Sequence, residues 1–133
     1  MPDLNLFPEL SHQLVGIAMN VYNSYGFSHK EAIYQRALEE EFLTNKIKFT
    51  SQPKIPVHSK NSGKILGWYQ PDLLIEDSII IEIKATPYTN QNQIKQILDY
   101  LAVSNIELGY LLNFGLDRLD FKRLIFTNNR KSL

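Results

Sequence analysis

The spacing of apolar residues predicts two helices in the first third of the chain. In residues 9–25 apolar side chains recur at intervals of three and four, which is the period of an amphipathic helix. A second such pattern covers residues 29–46, and Ser28 with Glu31 three residues later is typical of a capping box at its start. The apolar stripe of the first helix is formed by Leu10, Leu14, Ile17, Val21 and Tyr25, and that of the second by Ile33, Tyr34, Ala37, Leu38 and Phe42. The polar residues expected to face outward from the second helix are Gln35, Arg36, Glu39 and Glu40.

From residue 47 the apolar period shortens to two, which indicates strands. A first strand is expected over residues 48–57, where Pro53 and Pro56 restrict it to a sheet edge or a bulge. A tight turn centred on Asp77 predicts a hairpin between two of the later strands. Those later strands are predicted at residues 65–75, 79–85, 108–114 and 119–126.

A third helix, predicted over residues 90–103, separates the strand at 79–85 from the strand at 108–114. A helix between two such strands is expected to form a right-handed crossover, which makes the strands parallel. The hairpin about Asp77 is antiparallel, so the central sheet should be mixed, with helices on both faces. We expect one α/β domain over residues 1–133, and we expect residues 128–133 to fray.

The composition limits the classes of function. Hydrophobic residues make up 44% and charged residues 21% of the 133 residues, which is typical of a globular protein. The absence of cysteine excludes disulfides, zinc–thiolate sites and cysteine nucleophiles, and makes the cytoplasm the expected location. No apolar run approaches the ~20 residues that span a bilayer, and the N-terminal segment does not resemble a signal peptide. We therefore expect no membrane association.

The charge of the whole chain favours no particular partner. Fourteen Lys and Arg balance fourteen Asp and Glu, whereas most nucleic-acid-binding domains carry a basic excess. A neutral chain can still present one basic face. The lysines around the first two strands form either a solvated face or an edge that contacts phosphates; they are Lys46, Lys48, Lys54, Lys60 and Lys64.

The candidate chemistry lies on the hairpin about Asp77. Because side chains alternate along a strand, Glu82 and Lys84 share one face. A symmetric register places Asp72 directly opposite Glu82, with their Cβ atoms roughly 4.5–5.5 Å apart. Two carboxylates so close repel each other unless a cation lies between them, and such hard oxygen ligands suit Mg²⁺ or Mn²⁺.

Lys84 has two interpretations. Beside a metal ion it could hold or deprotonate a water molecule and stabilise the charge that develops during phosphodiester hydrolysis. Alternatively, Asp72, Glu82 and Lys84 form a buried salt-bridge cluster with no metal. The spacing by itself leaves both alternatives open.

These residues resemble a known family. Pro71-Asp72 followed by Glu82-Ile83-Lys84 on the next strand resembles the PD-(D/E)xK nuclease superfamily, and residues 26–34 are similar to the signature of its GxxExxY proteins. The spacing departs from that signature, because Glu31 follows Gly26 by five residues rather than three. Further stretches that resemble the family are Asp72-Leu73-Leu74-Ile75, Glu82-Ile83-Lys84-Ala85, Gln96-Ile97-Leu98-Asp99-Tyr100-Leu101 and Leu111-Leu112-Asn113-Phe114-Gly115.

The resemblance implies a restriction-endonuclease-like core and a Mg²⁺- or Mn²⁺-dependent nuclease that acts on nucleic acid, with DNA as the expected substrate. It implies that Asp72, Glu82 and the Ile83 carbonyl bind the metal, joined by Glu31 directly or through water. Lys84 would be the catalytic lysine. Gln96 would lie near the site, although many members carry a histidine at the position of Gln93. The alternative is a non-catalytic module that binds nucleic acid or protein and keeps the nuclease fold.

Four further expectations concern residues outside that motif. Tyr34 should pack in the core, with a functional role for its hydroxyl as the alternative. Trp68 and Tyr69 should lie in the core or at an interface, with stacking on a base as the alternative. The histidines lack metal-ligand spacing and should lie on the surface; they are His12, His29 and His58. A homodimer is expected, through the apolar edge at residues 119–126.

Overall fold

The structure, a computed structural model, describes residues 5–131 and agrees with the predicted helices. Each of the three long helices lies within two residues of its predicted bounds at either end. Residues 128–131 form a short helix where fraying was predicted, and Lys131 Nζ donates hydrogen bonds to the carbonyls of Ser104 and Ile106; residues 132–133 lie outside the described residues. The helices are α1 (Pro8–Tyr25), α2 (Glu31–Thr44), α3 (Gln91–Val103) and α4 (Asn128–Lys131).

Seven strands in the described part of the chain form two sheets. The larger sheet has the order β1-β4-β5-β6-β7, and the smaller pairs β2 with β3. In the larger sheet β5 and β6 are parallel and every other pair is antiparallel, so the prediction of a mixed sheet is confirmed. The strands are β1 (Phe49–Ser51), β2 (Ile55–His58), β3 (Ile65–Tyr69), β4 (Leu73–Ile75), β5 (Ile79–Lys84), β6 (Leu108–Asn113) and β7 (Asp120–Ile125).

Two of the predicted strands are wrong in extent, because each is divided between the two sheets. The strand expected over 48–57 splits into β1 and β2 around Pro53, and the one expected over 65–75 splits into β3 and β4 at residues 70–72. Proline supplies no N–H to a strand ladder, so Pro53 and Pro71 lie at the breaks. The pair β2–β3 therefore forms a separate ribbon, residues 55–69, beside the main sheet.

Helices cover both faces of the main sheet, as predicted. On β5, Ile79, Ile81 and Ile83 belong to the larger core with α1 and α2, whereas Ile80 belongs to a second core with α3 and the ribbon. This alternation is the period of two expected for a strand. Glu82 and Lys84 continue the face of Ile80, so they lie on the side of α3 and the ribbon. No helix within residues 5–131 is both long and apolar enough to cross a membrane.

The start of α2 differs from the predicted capping box. Lys30 is the N-cap residue and caps no helical N–H with its side chain, while Ser28 has a positive φ of 68°. The turn between α1 and α2 is instead closed by Tyr34, whose hydroxyl donates to the Gly26 carbonyl at 2.8 Å and accepts from the His29 amide at 3.0 Å. Tyr34 is fully buried, which confirms its core position.

Candidate active site

The register of β4 and β5 brings the two predicted acids together. Leu73 pairs with Ile81, and each following pair keeps the same sum of residue numbers. Asp72 is the residue before β4, so extending this register by one pair places it opposite Glu82. The symmetric hairpin predicted from the sequence is therefore confirmed, and the two carboxylates lie on one face of neighbouring antiparallel strands.

Hydrogen bonds fix one oxygen of each carboxylate. The amide of Ile83 donates to Asp72 Oδ2 at 2.7 Å, and the hydroxyl of Tyr69 donates to Glu82 Oε1 at 2.9 Å. Both acids are half-buried. Each carboxylate therefore has one oxygen held by a donor of the protein.

The main chain of Asp72 is anchored from its other side. Its carbonyl accepts hydrogen bonds from the Gln52 amide at 2.8 Å and from Gln35 Nε2 at 3.2 Å. Gln35 also donates to Ser51 Oγ at 3.0 Å. Gln35 was expected to face outward from α2, but it is half-buried and holds the strand that carries Asp72.

The carbonyl of Ile83 faces β4, the strand next to Asp72. The Ile83 amide points to the β4 side, and the N–H and C=O of one strand residue point to the same neighbour. If the register of β4 and β5 is extended by two pairs beyond Leu73 and Ile81, Ile83 lies opposite Pro71, which has no N–H. The strand ladder therefore offers no donor to the Ile83 oxygen, and that oxygen lies on the same side of β5 as Asp72.

Burial makes the charged forms of both acids costly. Burial raises the pKa of Asp72, while the Ile83 amide and Lys84 act against that rise. Burial, and next the charge of Asp72, raise the pKa of Glu82 to about 7, although the Tyr69 hydroxyl and Lys84 lower it. A cation between the carboxylates would offset both the cost of burying their charges and the repulsion between them. Burial and the nearby Glu82 also raise the pKa of Tyr69, so its hydroxyl remains a hydrogen-bond donor.

Lys84 is close to the acids but is not paired with them. The ion pairs within 4.0 Å in residues 5–131 join Lys48 to Asp77, Lys95 to Asp99 and Lys122 to Asp120, and all involve exposed lysines. The buried salt-bridge cluster that the sequence left open is therefore not formed. Lys84 is half-buried on the same face as Glu82.

Carboxylates alone do not complete a metal site in the described part of the chain. No three His, Cys, Asp or Glu side chains within residues 5–131 come close enough to share an ion. Glu31, exposed in the first turn of α2, therefore does not form a cluster with Asp72 and Glu82. The available donors are two carboxylates and the Ile83 carbonyl. These are hard oxygens, few in number, and they fit Mg²⁺ or Mn²⁺, which keep several water ligands.

A comparison with models of protein families shows the family of this chain. The family model of the PD-(D/E)XK nuclease superfamily matches residues 8–124. The chain belongs to the PD-(D/E)XK nuclease superfamily. The match leaves the narrower resemblance to GxxExxY proteins untested. No curated protein matches the sequence.

Solved structures share the PD-(D/E)XK fold with this chain. The crystal structure of SSO0001 is similar with a TM-score of 0.55 and 20% identity over 91% of this chain, which spans 58% of the length of SSO0001. The alkaline exonuclease LHK-Exo from Laribacter hongkongensis is similar with a TM-score of 0.51 and 12% identity, over 90% of this chain and 70% of that one. At these identities the likeness supports the fold alone.

Gln96 differs from the expectation based on PD-(D/E)XK relatives. The resemblance places it near the site, but it is exposed, and the buried residues of that helix are Ile97, Tyr100 and Leu101. Gln93, where many members carry a histidine, is half-buried and forms the α3 capping box with Asn90. A role for Gln96 near the metal therefore remains a prediction.

The predicted lysine cluster is divided in the structure. Lys48 pairs with Asp77 at the turn between β4 and β5, which is the end of β5 away from Glu82. Lys54, Lys60 and Lys64 are exposed on or beside the ribbon. No Asp or Glu occurs in residues 42–71, so the neutral chain carries a local positive charge along the ribbon, with Lys60 beside Ser104 and Lys131 at the end of α3.

Buried Asn113 holds the segment that follows Lys84. Its Oδ1 accepts from the amides of Thr86 at 3.1 Å and Gly115 at 2.9 Å, and its Nδ2 donates to Thr89 Oγ1 at 3.0 Å. The Phe114 amide donates to the Lys84 carbonyl at 2.8 Å. The end of β5 is therefore tied to β6 at several points, and this fixes the main chain at Lys84.

The raised pKa of Glu82 predicts how stability depends on pH in EDTA. The folded pKa of about 7 lies above the ordinary value of 4.5, so the folded state binds more protons between these values. Stability should therefore fall as the pH rises from 4.5 to about 7, and above that the destabilisation by Glu82 should stay constant at its full value. Denaturant unfolding should show that Glu82→Gln gains stability over the wild type between about pH 5 and about pH 8. A pH-independent difference would contradict this.

Proposed function

We propose that the protein is a metal-dependent nuclease that hydrolyses phosphodiester bonds in nucleic acid, with DNA as its substrate, and that it is a GxxExxY protein. The observation that carries the proposal is the pairing of Asp72 with Glu82 on one face, with Lys84 two residues along the same strand. Membership of the PD-(D/E)XK nuclease superfamily supports the reaction class.

The proposed metal ligands are Asp72, Glu82 and the carbonyl of Ile83. PD-(D/E)XK nucleases generally use divalent metals. A bound Mg²⁺ or Mn²⁺ would polarise the phosphate and acidify a water molecule. Glu31 is proposed to act through water, because it does not join the two acids in a cluster.

The proposed role of Lys84 is supported by its place on the face of Glu82 and by the absence of an ion-pair partner for it within residues 5–131. Its amine holds the attacking water in line with the phosphorus and donates hydrogen bonds to the phosphate oxygen that gains negative charge. The water oxygen forms a bond to phosphorus as one P–O ester bond breaks. The products are one phosphate monoester end and one hydroxyl end. Gln96 is proposed to contact the substrate from α3.

The surface of the ribbon supports a nucleic-acid partner. Lys54, beside the ribbon, and Lys60 and Lys64, within it, face solvent, and so does Trp68, whose exposed fraction is 59%. Lysines bind the phosphate backbone, and an exposed aromatic ring can stack on an unpaired base. A second subunit, paired through the edge strand β7, would extend this surface. Light scattering at micromolar concentration tests the dimer, and a monomeric mass would contradict it.

The nuclease is tested by cleavage of labelled oligonucleotides. Purified protein should cut DNA with Mg²⁺ or Mn²⁺ and should be inactive in EDTA, because the acids hold the metal that activates water. Protein carrying Lys84→Ala, purified in parallel, controls for contaminating nucleases. Binding of DNA without cleavage of single-stranded DNA, double-stranded DNA or RNA in either metal would contradict the nuclease. That result would favour a non-catalytic binding module.

A further inference from the structure

A pair of stacked tyrosines joins the ribbon to α3 beside the proposed metal site. The rings of Tyr69, on β3, and Tyr100, on α3, have centroids 3.8 Å apart and planes inclined by 16°. Tyr100 is buried, with 4% of its surface exposed. Tyr69 packs against the second core, whose buried residues include Ile80 and Leu111 of the main sheet.

The two hydroxyls of this pair have different surroundings. Tyr69 donates to Glu82 Oε1 at 2.9 Å, so its hydroxyl reaches the site. The hydroxyl of Tyr100 is buried on the side of Ser104 and makes no hydrogen bond within 3.5 Å among residues 5–131. Tyr69 is therefore fixed at both ends, by ring packing on Tyr100 and by the bond to Glu82.

We propose that Tyr69 is a positioning residue that orients the Glu82 carboxylate for metal binding. This inference rests on the proposed nuclease function, since it assigns a role in the same metal site. Carboxylates that bind metals are in turn held by hydrogen bonds, and the loss of such a partner typically weakens metal affinity or activity by about 10–100-fold. Tyr69 comes from the ribbon, so docking of the ribbon on α3 completes the site that β4 and β5 begin.

Two matched variants separate this role from packing. Tyr69→Phe removes the hydroxyl that contacts Glu82 and keeps the ring in the stack. Tyr100→Phe removes a hydroxyl from the partner ring of the same stack but leaves Glu82 untouched. Calorimetric titration with Mn²⁺ alone, without nucleic acid, should show a Kd about 10-fold or more weaker for Tyr69→Phe. The Kd of Tyr100→Phe should stay within about twofold of the wild type, because the hydroxyl that donates to Glu82 is that of Tyr69.

A second measurement uses activity at different Mn²⁺ concentrations. If Tyr69 orients a ligand, excess Mn²⁺ should restore most of the cleavage rate of Tyr69→Phe, because the chemical groups are intact. In a Glu82→Gln background, Tyr69→Phe should cause no further loss of Mn²⁺ affinity, because the partner carboxylate is already absent.

The outcomes distinguish the two hypotheses. If the wild type binds no Mn²⁺, the proposed metal site is overturned and the role of Tyr69 with it. If the wild type binds Mn²⁺ and Tyr69→Phe binds it equally well, the inference is overturned while the proposed function stands. Equal weakening by Tyr69→Phe and Tyr100→Phe would also overturn it, since packing of the stack would then explain the effect.

Discussion

Asp72→Asn and Glu82→Gln are each expected to abolish DNA cleavage, with a loss of at least about 10²–10³-fold in kcat. Each substitution removes negative charge from a proposed metal ligand with almost no change of shape. The neutral amide binds Mg²⁺ or Mn²⁺ far more weakly than a carboxylate, so the activated water is lost. Cleavage of a labelled duplex at saturating Mg²⁺, with the wild type in parallel, measures the effect.

The same two variants should retain or gain stability in EDTA. In the folded protein both acids are half-buried and each has a raised pKa, so their charged forms oppose folding. An amide relieves that cost and the mutual repulsion. A buried salt bridge would behave differently, because removing one partner typically costs about 3–5 kcal/mol. If both variants lose several kcal/mol in thermal melts without metal, the metal site is wrong and only the fold remains.

Lys84→Ala completes this set of variants. It should abolish cleavage and leave Mn²⁺ affinity nearly unchanged, because a protonated lysine cannot be a metal ligand and Lys84 has no ion-pair partner to lose within residues 5–131. Loss of Mn²⁺ affinity together with activity would instead assign Lys84 to the binding of the metal.

Gly115→Ala is expected to destabilise the protein by about 3 kcal/mol. Gly115 is buried, and an added Cβ would overlap the main chain of Thr86, two residues beyond Lys84. Main-chain atoms cannot rotate away as a side-chain end can. The segment must therefore shift and disturb the hydrogen bonds of Asn113 that hold it. The melting temperature should fall by roughly 10 °C.

Gly16→Ala is the matched control for this substitution. Gly16 is exposed in α1, and an added Cβ meets no atom within 4 Å. Alanine in a helix interior is favoured over glycine by about 0.5–1 kcal/mol, so the melting temperature should rise by about 2–4 °C. Equal effects of the two alanines would show that the contact between Gly115 and Thr86 does not constrain the end of β5.

The sequence by itself determined the elements whose interactions are local. The hairpin of β4 and β5 forms with the predicted register, because the turn and the period of two specify pairing over a few residues. That register was sufficient to place Asp72 opposite Glu82. The long helices follow from apolar spacing, and the parallel pairing of β5 with β6 follows from the helix between them.

The tertiary structure decided what depends on contacts between distant segments. If residues 65–75 formed one strand, as the sequence predicted, Tyr69 would lie on the face opposite Asp72. Nothing in the sequence would then link Tyr69 to Glu82. The break at residues 70–72 sends β3 into the ribbon, where packing on Tyr100 turns Tyr69 towards Glu82. Gln35 likewise contacts Asp72 only because α2 packs beside β1 and β4. The alternation of apolar and polar residues along a strand shows which face of the strand is apolar. The hydrogen-bond partner of a polar side chain depends instead on which elements pack together.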